Sequence, residues 1–214
     1  MMTKWKKKVV VFDFDGTIVD SMESFADIAA EVMPKYLPID WVTARRRYLE
    51  TSGLPFFQQL EVIFPKNPAN KKVADEFEKK KLENYFEKPL YGDAADTLEH
   101  LRQKGIKIAV SSNNFQELVD RFVGQTGIAF DMVLGFRPDF AKGKDHFDHI
   151  IRETGCKAEE VAFVGDSLKD GERAAGSGID FIGKEGIFSK REFKNQFPDA
   201  KVISSLSDLK RMFR

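Results

Sequence analysis

The sequence has few of the features that mark several specialised classes of protein. A single cysteine, Cys156, excludes an intramolecular disulfide framework. The 34 basic residues are balanced by 34 acidic ones, so the chain lacks the excess positive charge typical of nucleic-acid-binding proteins. No apolar run approaches the roughly 18 residues of a membrane span, and the run after the basic start is too short for a signal peptide. We therefore expect a cytoplasmic protein with no nucleic-acid or membrane partner.

Apolar and aromatic residues, in contrast, are plentiful. Hydrophobic residues make up 42% of the 214 positions, and 20 of them are phenylalanine. This composition is neither disordered nor fibrous, and it supplies a hydrophobic core without the help of a disulfide or a structural metal. The length suggests one domain that carries an insertion.

Short buried runs alternate with helical periodicity along most of the chain. The first run, Val9 to Phe12, is β-branched and aromatic, as in a strand buried on both faces. Four more runs predict strands, with helices between them: 106–110, 132–134, 161–164 and 179–182. This alternation predicts an α/β fold with a doubly wound, Rossmann-like parallel sheet.

Residues 21–88 differ from the rest because their apolar residues recur with the period of a helix. The pattern predicts four helices and no strand, inserted between the first two strands. We therefore predict an α/β core formed by residues 1–20 and 89–214, and a helical domain formed by residues 21–88.

Polar side chains follow three of the predicted strands. Asp13 and Asp15 come after the first strand, the run 111–114 (Ser-Ser-Asn-Asn) after the second, and Asp166 and Asp170 after the fourth. The carboxyl ends of parallel strands meet at one edge of a sheet, so these groups should lie together. Clustered carboxylates repel unless they share a proton or bind a cation, and an all-oxygen ligand set favours Mg²⁺.

Asp13 can also act as a nucleophile, because a carboxylate that attacks phosphorus forms an acyl phosphate. The repulsion between this carboxylate and a phosphate dianion 4 Å away amounts to about 8 kcal/mol at an effective dielectric constant near 20. Mg²⁺ and a lysine are the natural compensation for that repulsion.

The run from Asp13 to Ser21, together with Ser111, a later lysine and the acids Asp166 and Asp170, resembles the four motifs of the haloacid dehalogenase superfamily of phosphohydrolases. The resemblance covers roughly residues 8–183. The insertion resembles the small helical cap of the phosphoglycolate phosphatases and β-phosphoglucomutases in that superfamily.

The resemblance implies a role for each matching residue. Asp13 corresponds to the nucleophile that forms an aspartyl-phosphate, and Asp15 to the general acid/base. Asp13, the backbone carbonyl of Asp15, and Asp166 would bind Mg²⁺, while Asp170 would act through water or orient its neighbours. Ser111 corresponds to the hydroxyl that holds a phosphate oxygen.

The phosphate-binding lysine departs from the family pattern, in which a proline often follows it. Lys142 and Lys144 are both candidates, and neither is followed by proline. We favour Lys144, because it immediately precedes a predicted helix and lies 22 residues before Asp166. We also expect Gly16, Thr17, Ser112 and Asn113, which flank the matched positions, to contact the phosphate.

Together these observations predict an Mg²⁺-dependent phosphatase that hydrolyses a small phosphorylated metabolite, as a monomer or weak homodimer. Two alternatives remain open. A phosphosugar mutase would use the same aspartyl-phosphate, and a regulatory module would bind phosphate or metal without catalysis. Dehalogenation is disfavoured, because relatives that attack carbon are not expected to carry an acid at the position of Asp15.

Overall fold

The structure, a computed structural model, describes residues 6–213. These residues form two compact units. One contains the described residues up to Val19 and from Leu90 onward, and the other spans Asp20–Pro89. Residues 1–5 and 214, which belong to the predicted α/β core, lie outside the described residues.

The first unit contains a six-stranded sheet in which every pair of neighbouring strands is parallel. The strand order is β3-β2-β1-β4-β5-β6. The strands are β1 (Val9–Phe12), β2 (Lys107–Phe115), β3 (Met132–Phe136), β4 (Val161–Gly165), β5 (Asp180–Lys184) and β6 (Lys201–Ile203). The predicted α/β class and doubly wound parallel sheet are confirmed, and β6 is a strand that the sequence pattern did not indicate.

The second unit consists of helices. They are α1 (Met22–Val32), α2 (Trp41–Glu50), α3 (Phe56–Ile63) and α4 (Asn70–Glu83), with 3₁₀ turns at Met33–Lys35 and Tyr85–Glu87. Aromatic rings form its interior: Phe77 packs on Phe56 with ring centroids 4.1 Å apart, and on Tyr48 at 5.6 Å. These aromatic contacts stabilise the helical unit, whereas the first unit is built on strand pairing.

Six further helices belong to the sheet-containing unit. They are α5 (Ala94–Gln103), α6 (Gln116–Thr126), α7 (Lys144–Thr154), α8 (Leu168–Gly176), α9 (Lys190–Gln196) and α10 (Leu209–Met212). Within residues 6–213, no helix is both long enough and apolar enough to cross a membrane.

The core of this unit explains why β1 and β4 carry continuous apolar runs. All four residues of β1 are fully buried, because the strand has a neighbour on each side. Val9 and Val11 share one hydrophobic cluster with Phe163 of β4 and Phe147 of α7. The rings of Phe147 and Phe163 meet edge to face at 5.0 Å. This packing fixes α7, and the segment that precedes it, against the centre of the sheet.

Candidate active site

The segment after β1 folds into a tight turn that presents Asp13 and Asp15. The Asp13 N–H continues the ladder to β4 by donating to the Val164 carbonyl at 2.8 Å. Gly16, with φ of 75°, then reverses the chain, and its N–H donates to the Val19 carbonyl at 2.8 Å. The two acids are therefore held by backbone hydrogen bonds at the carboxyl edge of the sheet.

Three carboxylates meet at this edge, as the strand ends predict. Asp13, Asp166 and Asp170 each place one oxygen within 4.8 Å of the others, and all three residues are buried. Asp13 follows β1, whereas the other two follow β4, so the pairing of β1 with β4 brings them together. The hydroxyl of Thr17 donates to Asp166 Oδ1 at 3.3 Å.

Lys142 is the cation that accompanies these acids. Its Nζ lies 2.8 Å from Asp13 Oδ1 and 2.7 Å from Asp170 Oδ1, and its side chain is only 1% exposed. Lys144, the favoured candidate, lies on the first turn of α7 with its side chain 75% exposed and paired with Asp148. The expectation that Lys144 reaches the site is therefore wrong, and Lys142 occupies that place.

The conformation of Gly143 explains why Lys142 is buried while Lys144 is exposed, and why no proline follows Lys142. Its φ of 113° and ψ of −128° lie in a region that side chains rarely adopt. Proline fixes φ near −65° and could not form this turn. The turn separates Lys142, in the buried segment before the helix, from Lys144, which begins α7 on its exposed face.

Asp170 is held in place by the start of α8. Ser167 caps the helix and accepts from the Asp170 N–H at 3.1 Å, and its hydroxyl donates to Asp170 Oδ2 at 2.7 Å. Arg173 adds a contact at 3.3 Å to Asp170 Oδ1. A Cβ on Gly165 would lie 2.6 Å from Asp170 Oδ2, so the glycine leaves room for this carboxylate.

Burial and mutual repulsion separate the pKa values of the three acids. Burial raises the pKa of Asp13 well above its ordinary value, and the charges of Asp170 and Asp166 add to the rise. Burial, with the charge of Asp170, raises the pKa of Asp166 to about 6. Burial would also raise the pKa of Asp170, but the charges of Lys142 and Arg173 outweigh it and hold that pKa below its ordinary value.

This donor set fits a hard divalent cation. It offers carboxylate oxygens from three buried residues within 4.8 Å of one another, and oxygen ligands of this kind are those that Mg²⁺ prefers. The Asp15 carboxylate is not part of this cluster. Asp13, Asp166 and Asp170 are thus the side chains that could hold a metal.

Asp15 has a partner that sequence reasoning overlooked. Asn114, at the end of β2, donates from Nδ2 to Asp15 Oδ2 at 2.5 Å. The polar run after the second predicted strand contained Asn114, but nothing in its spacing distinguished it from its neighbours. In the structure β2 continues through this run to Phe115, with an irregular register between Ser111 and Phe115.

Ser111 has a buried partner as well. Its hydroxyl lies 2.9 Å from Nδ1 of His146, and both side chains are inaccessible to solvent. Burial lowers the pKa of His146 to about 4, an effect that the backbone carbonyl of Gly135 opposes only in part. His146 belongs to none of the sequence motifs described above.

The other residues expected to contact phosphate form hydrogen bonds within the chain. The N–H of Gly16 and the hydroxyl of Thr17 are engaged with Val19 and Asp166, as described above. Ser112 is buried, and its hydroxyl accepts from the Asn114 N–H at 3.1 Å. These contacts shape the turn and the end of β2. All four residues, including the half-buried Asn113, stay predicted phosphate contacts.

A second buried lysine supports the turn from β5. Lys184 donates to the Gly16 carbonyl at 3.1 Å, and its Nζ lies 3.6 Å from the centroid of the Tyr91 ring. Its charge also lowers the pKa of Asp166, against the larger effect of burial. The turn that carries Asp15 is therefore braced by a residue about 170 positions later in the chain.

Comparisons with known proteins agree with this geometry. Residues 10–184 match the family described as haloacid dehalogenase-like hydrolase. The chain is 28% identical over 211 residues to a phosphoglycolate phosphatase of Aquifex aeolicus, with 94% of each chain covered. It is 29% identical over 214 residues to a phosphoserine phosphatase of Campylobacter jejuni subsp. doylei, covering 92% of this chain and 97% of that one.

Solved structures show the same similarity. A haloacid dehalogenase-like hydrolase from Bacteroides fragilis superposes with a TM-score of 0.81 at 25% identity, covering 95% of this chain and all of the other. A hydrolase of the same superfamily from Deinococcus radiodurans, solved with bound phosphate and sodium, gives a TM-score of 0.69 at 20% identity, with 96% and 94% covered.

Proposed function

Because the chain belongs to the haloacid dehalogenase-like hydrolase family and is a phosphoric monoester hydrolase, we propose that it is an Mg²⁺-dependent phosphatase that acts through an aspartyl-phosphate on Asp13. The substrate is a small phosphorylated metabolite of the kind named for its relatives, such as phosphoglycolate or phosphoserine.

The observation that carries this proposal is the position of Lys142 between Asp13 and Asp170, beside Asp166. Lys142 and Phe14 N–H both contact Oδ1 of Asp13, at 2.8 and 2.6 Å, so Oδ2 is the oxygen left for the reaction. The pKa of Lys142 is held above its ordinary value, because the charges of Asp13 and Asp170 outweigh its burial. A permanent positive charge therefore stands where the phosphoryl group would approach.

The first half of the reaction transfers the phosphoryl group to the protein. Asp13 Oδ2 attacks phosphorus, the bond to the ester oxygen breaks, and the leaving oxygen takes a proton from Asp15. Lys142 offsets the repulsion between carboxylate and phosphate, and Ser111 donates to a phosphate oxygen. Asn114 holds the carboxyl group of Asp15 through the bond to its Oδ2.

The second half releases phosphate. Asp15, now ionised, removes a proton from water, which attacks phosphorus and breaks the bond to Asp13. Inorganic phosphate leaves, and Asp13 and Asp15 return to their initial states. Asp13, Asp166 and Asp170 would hold Mg²⁺, which when bound supplies positive charge for the phosphate oxygens.

Replacing Asp13 by Asn tests the nucleophile. We expect Asp13→Asn to fold normally and to lose at least roughly 1,000-fold in kcat on a panel of phosphate esters that includes phosphoglycolate and phosphoserine. The exposed Asp148→Asn on α7 is the matched control and should keep wild-type turnover. Wild-type rates in Asp13→Asn would refute the assignment. A complete lack of turnover by folded wild-type protein with Mg²⁺ would favour a binding module.

The mutase alternative differs in the fate of the phosphoryl group. In a mutase, the aspartyl-phosphate returns its phosphoryl group to a sugar, whereas a phosphatase transfers it to water. Turnover in ¹⁸O-labelled water with a panel that includes sugar phosphates separates the two. We expect labelled inorganic phosphate, and an isomeric sugar phosphate formed without phosphate release would establish the mutase.

A further inference from the structure

His146 is a buried titratable residue that the proposed mechanism leaves without a role. It lies in the first turn of α7, four residues after Lys142, and its side chain is wholly inaccessible to solvent. Its ring packs against Phe140, with centroids 4.6 Å apart, and its Nδ1 lies 2.9 Å from the Ser111 hydroxyl oxygen. These contacts fix the ring in one orientation.

The two ring nitrogens differ in their contacts. Nδ1 faces the Ser111 hydroxyl, whereas Nε2 is buried and forms no hydrogen bond of good geometry within the part of the chain that the structure describes. Burial lowers the pKa of His146 to about 4, against the opposing effect of the backbone carbonyls of Gly135 and Phe140, so near pH 7 the ring is neutral and carries one hydrogen. With that hydrogen on Nδ1 the ring donates to Ser111, and with it on Nε2 the ring accepts from Ser111.

This direction decides what Ser111 can do. A serine hydroxyl has one hydrogen and two lone pairs. If one lone pair accepts from His146, the hydroxyl hydrogen must point elsewhere. Ser111 follows Val110, which pairs with Phe12 in the ladder between β2 and β1, and Asp13 follows Phe12. Ser111 is therefore aligned beside the candidate nucleophile, one position beyond the last paired residues.

We propose that His146 is a positioning residue: its Nδ1–H holds the Ser111 oxygen, so that the Ser111 hydroxyl hydrogen is directed at a phosphate oxygen of the substrate. The inference rests on the proposed function, because it assigns Ser111 to the phosphoryl group. It adds a residue from α7 to a site otherwise built by the segments around the strand ends.

Two substitutions of His146 separate positioning from packing. The side-chain amide of asparagine can place an N–H near the position of Nδ1, whereas leucine fills the space without a donor. We expect His146→Leu to weaken the binding of inorganic phosphate, in the presence of Mg²⁺, by about tenfold, and His146→Asn to stay within about threefold of wild type. His149→Leu, one turn along α7, is the matched control and should leave phosphate affinity unchanged.

A double-mutant cycle with Ser111→Ala tests whether His146 acts through Ser111. If it does, His146→Leu should cause no further loss of phosphate affinity once Ser111 is alanine, because the group that it orients is gone. A role confined to packing would lower the melting temperature and give losses that add in the double variant. Thermal unfolding of each variant is measured alongside binding.

Each outcome of these experiments either supports the role of His146 or overturns it. Wild-type phosphate affinity in folded His146→Leu would overturn the proposal, and so would additive losses in the cycle or an undetectable affinity of the wild type for phosphate. If His146→Leu does not fold, the comparison moves to His146→Asn and His146→Gln, whose amide extends toward the position of Nε2. The proposal is supported if His146→Asn keeps its phosphate affinity and His146→Gln loses it. Equal affinities of these two variants overturn the proposal.

Binding of inorganic phosphate requires no turnover. A wild type that binds phosphate in a His146-dependent manner but hydrolyses no ester would refute the proposed phosphatase and leave the role of His146 intact.

Discussion

Lys142 lies 2.8 Å from Asp13 through its Nζ and the Oδ1 of the acid, although 129 positions separate the two residues in the chain. The same Nζ contacts Asp170, so one ammonium group ties the acid after β1 to the acid after β4. Removing its charge would take away the ammonium group that contacts both buried carboxylates and that would offset the charge of an arriving phosphate.

We therefore expect Lys142→Met to lower kcat/KM by at least roughly 100-fold, because this charge would be lost where negative charge gathers in the transition state. Lys144→Met removes an exposed charge two positions away and is the matched control, with an expected change of less than about twofold. Steady-state kinetics on the best ester of the panel measures both. A larger loss in Lys144→Met than in Lys142→Met would contradict the placement of the buried lysine.

A second prediction concerns Gly143, which lies next to Lys142 in the chain. With φ of 113°, any side chain at this position is strained, and a Cβ would lie 3.3 Å from the Arg173 side chain. We expect Gly143→Ala to destabilise the protein by about 1–3 kcal/mol in chemical denaturation and to lower kcat as Lys142 shifts.

Gly92→Ala provides the control for this substitution. Gly92 has no positive φ, and no atom outside its neighbours lies within 4 Å of an added Cβ. Its replacement should leave both the free energy of unfolding and kcat close to wild type. Equal effects of the two substitutions would show that the turn at Gly143 tolerates a side chain.

Asn114 gives a prediction for the candidate acid/base. Its amide holds Asp15 Oδ2 at 2.5 Å, so Asn114→Leu should leave the carboxyl group free to adopt other orientations. We expect kcat to fall by about tenfold with little change in KM, because phosphate binding uses other residues. Steady-state kinetics and thermal unfolding of the variant should be compared with those of the wild type. A raised KM with unchanged kcat would place Asn114 in substrate binding instead.

The raised pKa values of Asp13 and Asp166 predict how stability depends on pH and Mg²⁺. A carboxyl group whose pKa is raised in the folded protein stabilises the fold while it is protonated. This contribution is fully present below the pKa of the unfolded chain, near 3.8, and is lost as pH rises through the pKa of the folded protein, about 6 for Asp166. Metal-free protein should thus lose this contribution toward neutral pH. A divalent cation binds the ionised forms, so its stabilising effect should grow over the same interval.

Melting temperatures with excess Mg²⁺ and with a chelator, at about pH 5 and about pH 7.5, test this dependence. The increase caused by Mg²⁺ should be larger at the higher pH and should be reduced in Asp166→Asn. An equal increase at both pH values, or one that persists in Asp166→Asn, would show that the cation binds elsewhere.

The sequence predicts the sheet and the acids well because each depends on local signals. The continuous apolar runs of β1 and β4 mark strands with a neighbour on each side, and the acids follow directly after them. Parallel pairing then brings Asp13 and Asp166 to one edge without further information. The short β6 was missed, because three residues, of which only Ile203 is buried, give no periodic pattern.

The remaining errors depend on backbone geometry and on packing between distant segments. Lys142 and Lys144 have similar sequence surroundings, and only the turn at Gly143 separates a buried ammonium from an exposed one. His146 is one of the buried residues of α7 together with Phe147 and Ile150, a pattern that indicates core packing alone. Its contact with Ser111 arises only once α7 is packed on the sheet.

The position of β1 within the sheet has a consequence for the motions of the protein. Two strands lie on one side of it and three on the other, so local opening that begins at β3 or β6 reaches β1 last. Amide hydrogens of Val10 and Val11 should accordingly be among the slowest in the chain to exchange with deuterated solvent. We therefore expect the candidate nucleophile to follow the strand of the sheet that opens least often.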